Sequence, residues 1–220
     1  MVSMRSSINP GFSIIKEAML NADKVLREEY HKSCIYGIPR RGITGLLNNP
    51  FVATSDFTVF NPLALATTRE QIYDWIISLH STIEEQTNRF TSVLNTMLIS
   101  QKLRDKLMSL PGPASGTDMT AYDLLKRTLN ERGVSNFVVR NEVTKRWLEQ
   151  YGFFPIGTNK EMIVLYNNNT ETLKRFVSPI KQSRLYFDEK GTASQYFRQR
   201  VSTVKFDNPL EALYVTYPAT

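Results

Sequence analysis

The chain has 220 residues, of which 41% are hydrophobic and 11% aromatic, and it carries a net charge of +6. A chain of this length and composition can bury a core, which excludes an intrinsically disordered protein. Its single cysteine, Cys34, excludes an intrachain disulfide and a thiolate zinc site, and no apolar run approaches the roughly 18 residues of a membrane span, so we expect a soluble, non-secreted protein.

The first part of the chain predicts a helix followed by a long loop. Apolar residues spaced by three and four indicate an amphipathic helix over residues 12–31. Closely spaced glycine, proline and asparagine predict an irregular loop over residues 34–66, with one strand at Phe57–Phe60. Arg40 and Arg41 lie in this loop, where their guanidinium groups could contact an anion or nucleic acid.

A second helix is predicted to begin after Thr68, because Thr68 and Gln71 have the spacing of a capping box. Its apolar stripe continues to Leu98 and towards Leu110, which leaves open whether residues 69–110 form one helix or two. A helix of this length would project and pack on a partner. The expected partner interface consists of Ile72, Ile76, Leu79, Ile83 and Phe90.

The proline and glycine of residues 110–116 mark an internal boundary. They divide the chain into a mostly helical region, residues 1–110, and a region rich in strands, residues 111–220. The elements predicted in the second region are a helix at Met119–Arg132, a strand at Val134–Val139, a helix at Glu142–Tyr151, a strand at Met162–Tyr166 and short C-terminal strands, including Ala212–Tyr217. The expected fold class is α+β, with antiparallel strands at the C-terminus.

One segment of the second region resembles a known family. Asn141 stands eleven residues before Gly152 and twelve before Phe153, and Gly133-Val134 leads into the preceding strand. On these residues, the segment 116–166 resembles the C-terminal half of the GNAT (Gcn5-related) N-acetyltransferase fold.

The resemblance implies acetyl-CoA as cofactor. Gly116 is the one residue that matches the family's phosphate loop, and Asn141 would bind the pantetheine arm. Leu148 occupies the position of the family's usual tyrosine, so the resemblance leaves Tyr151 as the proton donor. The residues themselves allow a simpler interpretation, in which Asn141 caps a helix.

The sequence offers few other candidates for catalytic or metal-binding residues. His31 and His80 are the only histidines, and a pair of Cys34 with His31 is the one nucleophilic arrangement available. A small buried thiol is the commoner role of such a cysteine. We expect no metal site.

Basic and aromatic residues alternate in the C-terminal tail. The basic residues are Arg184, Arg198, Arg200 and Lys205, and the aromatic residues are Tyr186, Tyr196, Phe197 and Phe206. This pattern suits base stacking on a sheet, but cross-strand aromatic pairing produces the same pattern and is favoured here.

The sequence favours a non-enzymatic structural, assembly or interaction protein without a cofactor. The partners would be other protein subunits, in a homo-oligomer or larger assembly, and no membrane partner is expected. The composition resembles that of small structural or accessory proteins of tailed-phage particles, and this resemblance implies a location in the cytoplasm or the virion. The alternatives are a GNAT-like acetyltransferase and, third, a nucleic-acid-binding module.

Overall fold

The computed structural model describes residues 10–58, 60–87, 94–109, 119–151, 159–184, 186–187 and 193–219. These residues form both helices and mixed β-sheets, so the predicted α+β class is confirmed.

The chain divides into two compact units that interleave in sequence. The first consists of Met1–Gly45 and Arg175–Thr203, and the second of Leu46–Lys174 and Val204–Thr220. The two regions predicted from the sequence follow each other along the chain instead. Their boundary, at residues 110–118, lies outside the described residues.

The second unit contains a five-stranded sheet. Its strands are β1 (Ala53–Asp56), β2 (Thr96–Ile99), β3 (Asn136–Val139), β4 (Lys160–Tyr166) and β11 (Ala212–Pro218). They lie in the order β1-β11-β4-β2-β3. β4 and β11 pair antiparallel along their whole length, while the outer pairs, β1 with β11 and β3 with β2, are parallel. The three central strands are almost entirely buried, which is why they read as continuous apolar runs.

Helices cover this sheet and complete the core. They are α2 (Arg69–Gln86), α3 (Gln101–Ser109), α4 (Ala121–Glu131) and α5 (Lys145–Tyr151). α2 begins with the predicted capping box: the Thr68 hydroxyl accepts from the Gln71 backbone N–H, and the Gln71 side chain accepts from that of Thr68. The apolar faces of α2, α3 and α4 meet the sheet in one cluster that includes Ile76, Leu103 and Leu125.

Neither alternative left open for residues 69–110, one helix or two, included the strand that the structure shows there. α2 ends at Gln86, and Thr96–Ile99 form the buried strand β2 between β3 and β4. A fully buried strand is itself an unbroken apolar run, so it extends a helical stripe by chance and periodicity alone does not separate the two. The helix predicted beyond Ser100 is present as α3.

Two further boundaries differ from the prediction. The strand expected at Phe57–Phe60 lies earlier, at β1, because Phe57 and Phe60 pack against the Trp75 ring instead, at centroid distances of 5.7 and 5.1 Å. The helix expected from Glu142 starts with a separate 3-10 turn, Asn141–Val143, before α5.

The second unit also holds the short antiparallel pair β5 (Leu173–Lys174) and β10 (Lys205–Phe206). The first unit contains α1 (Pro10–Tyr36) and a β-hairpin built from β6 (Lys181–Gln182) with β9 (Phe197–Arg198) and β7 (Tyr186–Phe187) with β8 (Ala193–Ser194). No helix among the described residues is long and apolar enough to cross a membrane.

Candidate functional site

Helix α1 of the first unit exposes much of its surface. Its 27 residues span about 40 Å. Ser33 and Tyr36, near its C-terminal end, are buried, whereas residues 17–21 are all exposed. Leu20 and Val25 are 63% and 57% exposed. At Leu20 and Val25 the helix therefore presents apolar side chains that the unit itself does not cover.

The hairpin of the same unit exposes aromatic side chains. Phe176, Tyr186 and Tyr196 are 76%, 67% and 74% exposed. Backbone hydrogen bonds join the two arms of the hairpin, for example from the Ser183 N–H to the Tyr196 carbonyl at 2.8 Å. The rings are thus displayed on an ordered support.

Arg175 fastens the start of the hairpin to α1. Its Nη2 donates to Ser33 Oγ at 2.9 Å, and its guanidinium carbon lies 5.3 Å from the centroid of the Tyr30 ring. The pKa of Tyr30 is raised, chiefly by its hydrogen bond with Cys34. Cys34 is a free, half-buried cysteine one helical turn from Tyr30.

A tight turn presents Arg40 and Arg41. Both are exposed on the 3-10 turn Pro39–Arg41, which the Ile38–Ile43 bridge closes at its base. Gly37, at φ +72°, comes so close to the next segment that a Cβ would lie 2.1 Å from the Ile43 carbonyl oxygen. Anion contact by Arg40 and Arg41 stays a prediction.

The second unit contains a buried polar network around Glu161 of β4. Ser100, Glu161 and Tyr217 are all completely buried. The Tyr217 hydroxyl donates to Glu161 Oε2 at 3.2 Å and lies 3.1 Å from Ser100 Oγ, which accepts from the Leu103 backbone N–H. The network thus ties β4 and β11 to the start of α3. Burial raises the pKa of Tyr217 well above its usual value, so its hydroxyl stays protonated.

A cleft of about 550 Å³ opens beside this network. It is lined by Lys102, Thr144, Lys145, Arg146, Glu149, Gln150 and Glu161. Glu161 Oε1 has no hydrogen-bond partner among the described residues, and Lys102 Nζ lies 3.8 Å from it. The described lining offers charged groups for ion pairing and amide and hydroxyl groups for hydrogen bonding, but no histidine or cysteine.

The residues implied by the acetyltransferase resemblance are not brought together among the described residues. Asn141 is exposed at the start of the 3-10 turn, and its carbonyl, rather than its side chain, accepts from the Thr144 N–H and hydroxyl. Arg140 holds the N-cap position, so Asn141 does not cap this turn. Tyr151 is half-buried against the Trp147 ring, at 5.3 Å between centroids, and its hydroxyl accepts from Gln150 Nε2. Gly116 lies outside the described residues, and acetyl-CoA binding stays a prediction.

Four of the five residues expected at a partner interface lie in the chain's own core. Ile72, Ile76, Leu79 and Ile83 are at most 1% exposed. Because α2 is covered by the sheet and by α4, its stripe is used within the chain and is not accessible to a partner in this structure. Phe90 lies outside the described residues.

The two histidines lie on different helices, in different units of the chain. His31 is exposed on α1, whereas His80 is buried on α2 beside Glu84. No group of three or more His, Cys, Asp or Glu residues that could hold a metal ion occurs among the described residues.

The Glu161 network was not predicted from the sequence. A usable signal was present: Glu161 is a carboxylate at the start of the apolar run Met162–Tyr166, and buried carboxylates need partners. Its partners, Ser100 and Tyr217, are distant in sequence, so only the sheet register reveals them.

Comparison by sequence finds no relative: no family model and no curated protein matches the chain. Comparison by structure finds several solved proteins with a similar fold. The capsid of Myoviridae phage XM1 matches with a TM-score of 0.72 at 11% identity, over 93% of this chain and 65% of the capsid chain.

Two other solved particles match less closely. A virus-like particle from Pyrococcus furiosus has a TM-score of 0.51 at 12% identity, over 86% of this chain and 64% of that chain. The SrpI encapsulin complex from Synechococcus elongatus PCC 7942 has a TM-score of 0.52 at 13% identity, over 91% and 64%. The chain thus spans less than two thirds of the length of these three chains, and it shares the fold of phage capsid and encapsulin proteins.

Proposed function

We propose that this chain is a non-enzymatic structural protein that assembles with copies of itself into a shell or a larger particle. The observation that carries the proposal is the fold likeness to the phage XM1 capsid, which extends over 93% of the chain. The same fold occurs in an encapsulin complex and in a virus-like particle, so the likeness extends to more than one kind of assembled particle.

The first unit supplies the surface that such an assembly needs. Exposed Leu20 on α1 and exposed Phe176 on the hairpin are large apolar side chains that leave water when a second copy covers them. Aromatic side chains are enriched at the centres of protein interfaces. We therefore assign subunit contacts to the first unit and not to the apolar stripe of α2.

Sedimentation velocity over a wide concentration range tests this assignment. The wild-type chain is expected to form species far heavier than its 25.3 kDa monomer. The double variant Leu20→Ser/Phe176→Ser is expected to shift the distribution towards the monomer, because it removes two exposed apolar contacts without touching the core.

The matched control is Leu20→Met/Phe176→Tyr, which keeps apolar bulk at both positions and should assemble like the wild type. Assembly of the serine variant at wild-type concentrations would contradict the assigned surface. A wild-type chain that stays monomeric throughout would contradict the proposed function.

A further inference from the structure

A cleft of about 640 Å³ opens at one end of the five-stranded sheet of the second unit. It lies where β2 begins, β4 ends and β11 begins. Its described lining contains two carboxylates and six amide or hydroxyl side chains, but no lysine, arginine or histidine. The lining residues are Asn95, Asn167, Asn168, Asn169, Thr170, Glu171, Thr172 and Glu211.

Hydrogen bonds between neighbouring segments fix the shape of this cleft. Asn95 Nδ2 donates to Asn167 Oδ1 at 3.2 Å, and the Asn168 backbone N–H donates to Asn95 Oδ1 at 2.8 Å. The Thr172 hydroxyl donates to the Asn167 carbonyl at 3.1 Å. A surface that is already ordered loses little conformational entropy when a partner binds to it.

The two carboxylates of the cleft have no cation beside them among the described residues. Glu211 is only 7% exposed, and its carboxylate accepts from Asn167 Nδ2 at 2.7 Å and from Asn208 Nδ2 at 3.0 Å, which are both neutral amides. Glu171 is exposed, and its side chain forms no ion pair in the part of the chain that the structure describes. The cleft therefore attracts positive charge, and Glu171 is the carboxylate that a partner reaches directly.

The hairpin segment of the first unit carries the opposite charge. Residues 175–203 contain six Lys or Arg against two Asp or Glu, namely Asp188 and Glu189, which gives a net charge of +4 out of the +6 of the whole chain. Lys181 and Arg198 are both exposed and are register partners in the pair of β6 with β9. Opposite residues of an antiparallel pair project from the same face of the ribbon, so these two cations lie side by side.

We infer that the hairpin of one copy binds at this cleft of a neighbouring copy, with Lys181 and Arg198 close to Glu171. The inference rests on the proposed assembly and names the surface that the hairpin meets. Opposite charge favours this pair of surfaces, whereas two hairpins facing each other would both be positive. Because two different surfaces meet, the contact is head to tail and continues from copy to copy until a ring or shell closes.

Chemical cross-linking of the full chain tests this contact directly. A carbodiimide joins a carboxylate to a lysine amine only where the two groups touch. In an equal mixture of unlabelled and ¹⁵N-labelled chains, mass spectrometry should find Glu171 linked to Lys181 in peptide pairs that combine one unlabelled and one labelled chain.

A charge reversal tests the same contact in assembly. Glu171→Lys places like charges together, so the concentration for half-assembly in sedimentation velocity should rise about tenfold. The variant Glu171→Lys/Arg198→Glu should recover most of this loss, because an opposite pair is restored. The matched control is Glu85→Lys, which makes the same charge change at an exposed position of α2 and should assemble like the wild type.

Several results would overturn the inference. They are links of Glu171 confined to one chain, links only to lysines outside the hairpin, equal weakening by Glu171→Lys and Glu85→Lys, and a double variant that recovers nothing. Links to other lysines would identify a different surface of the neighbour as the occupant.

The same experiment separates this inference from the proposed function. Particles that form without the link between Glu171 and Lys181 would contradict the inference alone. Linked pairs of copies that never grow into larger particles would contradict the proposed shell alone.

Discussion

Tyr217 is the residue on which the buried network depends. Replacing it with Phe keeps the ring packing against Trp75 but removes the hydroxyl that donates to Glu161 Oε2. Because a buried carboxyl oxygen loses its hydrogen-bond donor, we expect Tyr217→Phe to lower the free energy of unfolding by about 1–3 kcal/mol, measured by urea denaturation.

Tyr73→Phe is the matched control. It removes a hydroxyl that bonds Thr128 Oγ1 at 3.0 Å in a half-buried place, with no charge involved. Its cost should be smaller, about 0.5–1.5 kcal/mol. Equal costs for the two variants would mean that the Glu161 network adds nothing beyond an ordinary hydrogen bond.

His80 makes stability depend on pH. Burial lowers its pKa, and Glu84, with Oε2 3.7 Å from Nδ1, offsets this in part. Arg132 acts in both directions, because its charge lowers the pKa of His80 and a hydrogen bond with its backbone raises it. The unfolded chain therefore binds a proton below about pH 6.5 more readily than the folded chain. Stability should fall as the pH drops from 7 towards 5.

The measurement is the thermal unfolding midpoint at both ends of this range, for the wild type and for His80→Gln. The variant has no titrating group at this position, so its midpoint should change less with pH. An equal pH dependence in both proteins would exclude His80 as the cause.

At the scale of elements, the turn after α1 offers an internal comparison. Gly37 and Gly42 both have positive φ, but a Cβ at Gly37 would collide with backbone, whereas at Gly42 it would meet nothing within 4 Å. Gly42→Ala should lower the free energy of unfolding by about 1–2 kcal/mol, because alanine is strained in the left-handed conformation. Gly37→Ala should lower it by clearly more, because the added Cβ also collides with backbone.

Thermal unfolding of the two alanine variants checks this difference. The first unit of Gly37→Ala should unfold at a lower temperature than that of Gly42→Ala. Equal midpoints would mean that the backbone near Ile43 moves away at little cost.

The stripe of α2 supports a second prediction at this scale. Ile76 is completely buried in the core, so Ile76→Ala should cost about 2–5 kcal/mol in urea denaturation of the chain. If Ile76→Ala weakened assembly but left the free energy of unfolding unchanged, the apolar stripe of α2 would be a partner interface after all.

Much of the element pattern could be predicted from the sequence, because local signals carry it. The capping box placed the start of α2, helical spacing revealed α1, and β-branched and aromatic runs revealed β4 and β11. β2 could not be separated from a helix, since its burial on both faces erases the alternation that identifies a strand. The exposed tyrosines of the hairpin were noted as candidates, but their exposure depends on the hairpin's packing.

At the scale of the whole molecule, the interleaving of the two units could not be foreseen. The second unit is completed by Val204–Thr220, which supplies β11 to a sheet begun about 160 residues earlier by β1. Such long-range pairing leaves no local signal, so the sequence suggested successive regions instead. The fold likeness to capsid and encapsulin proteins likewise became visible only in three dimensions, at identities of 11–13%.

Electron cryomicroscopy of the purified full chain tests the central claim most directly. The account predicts closed or partial shells in which α1 and the hairpin of the first unit lie at contacts between copies. A sample that contains only isolated 25.3 kDa subunits, at concentrations where the chain is folded and soluble, would contradict it.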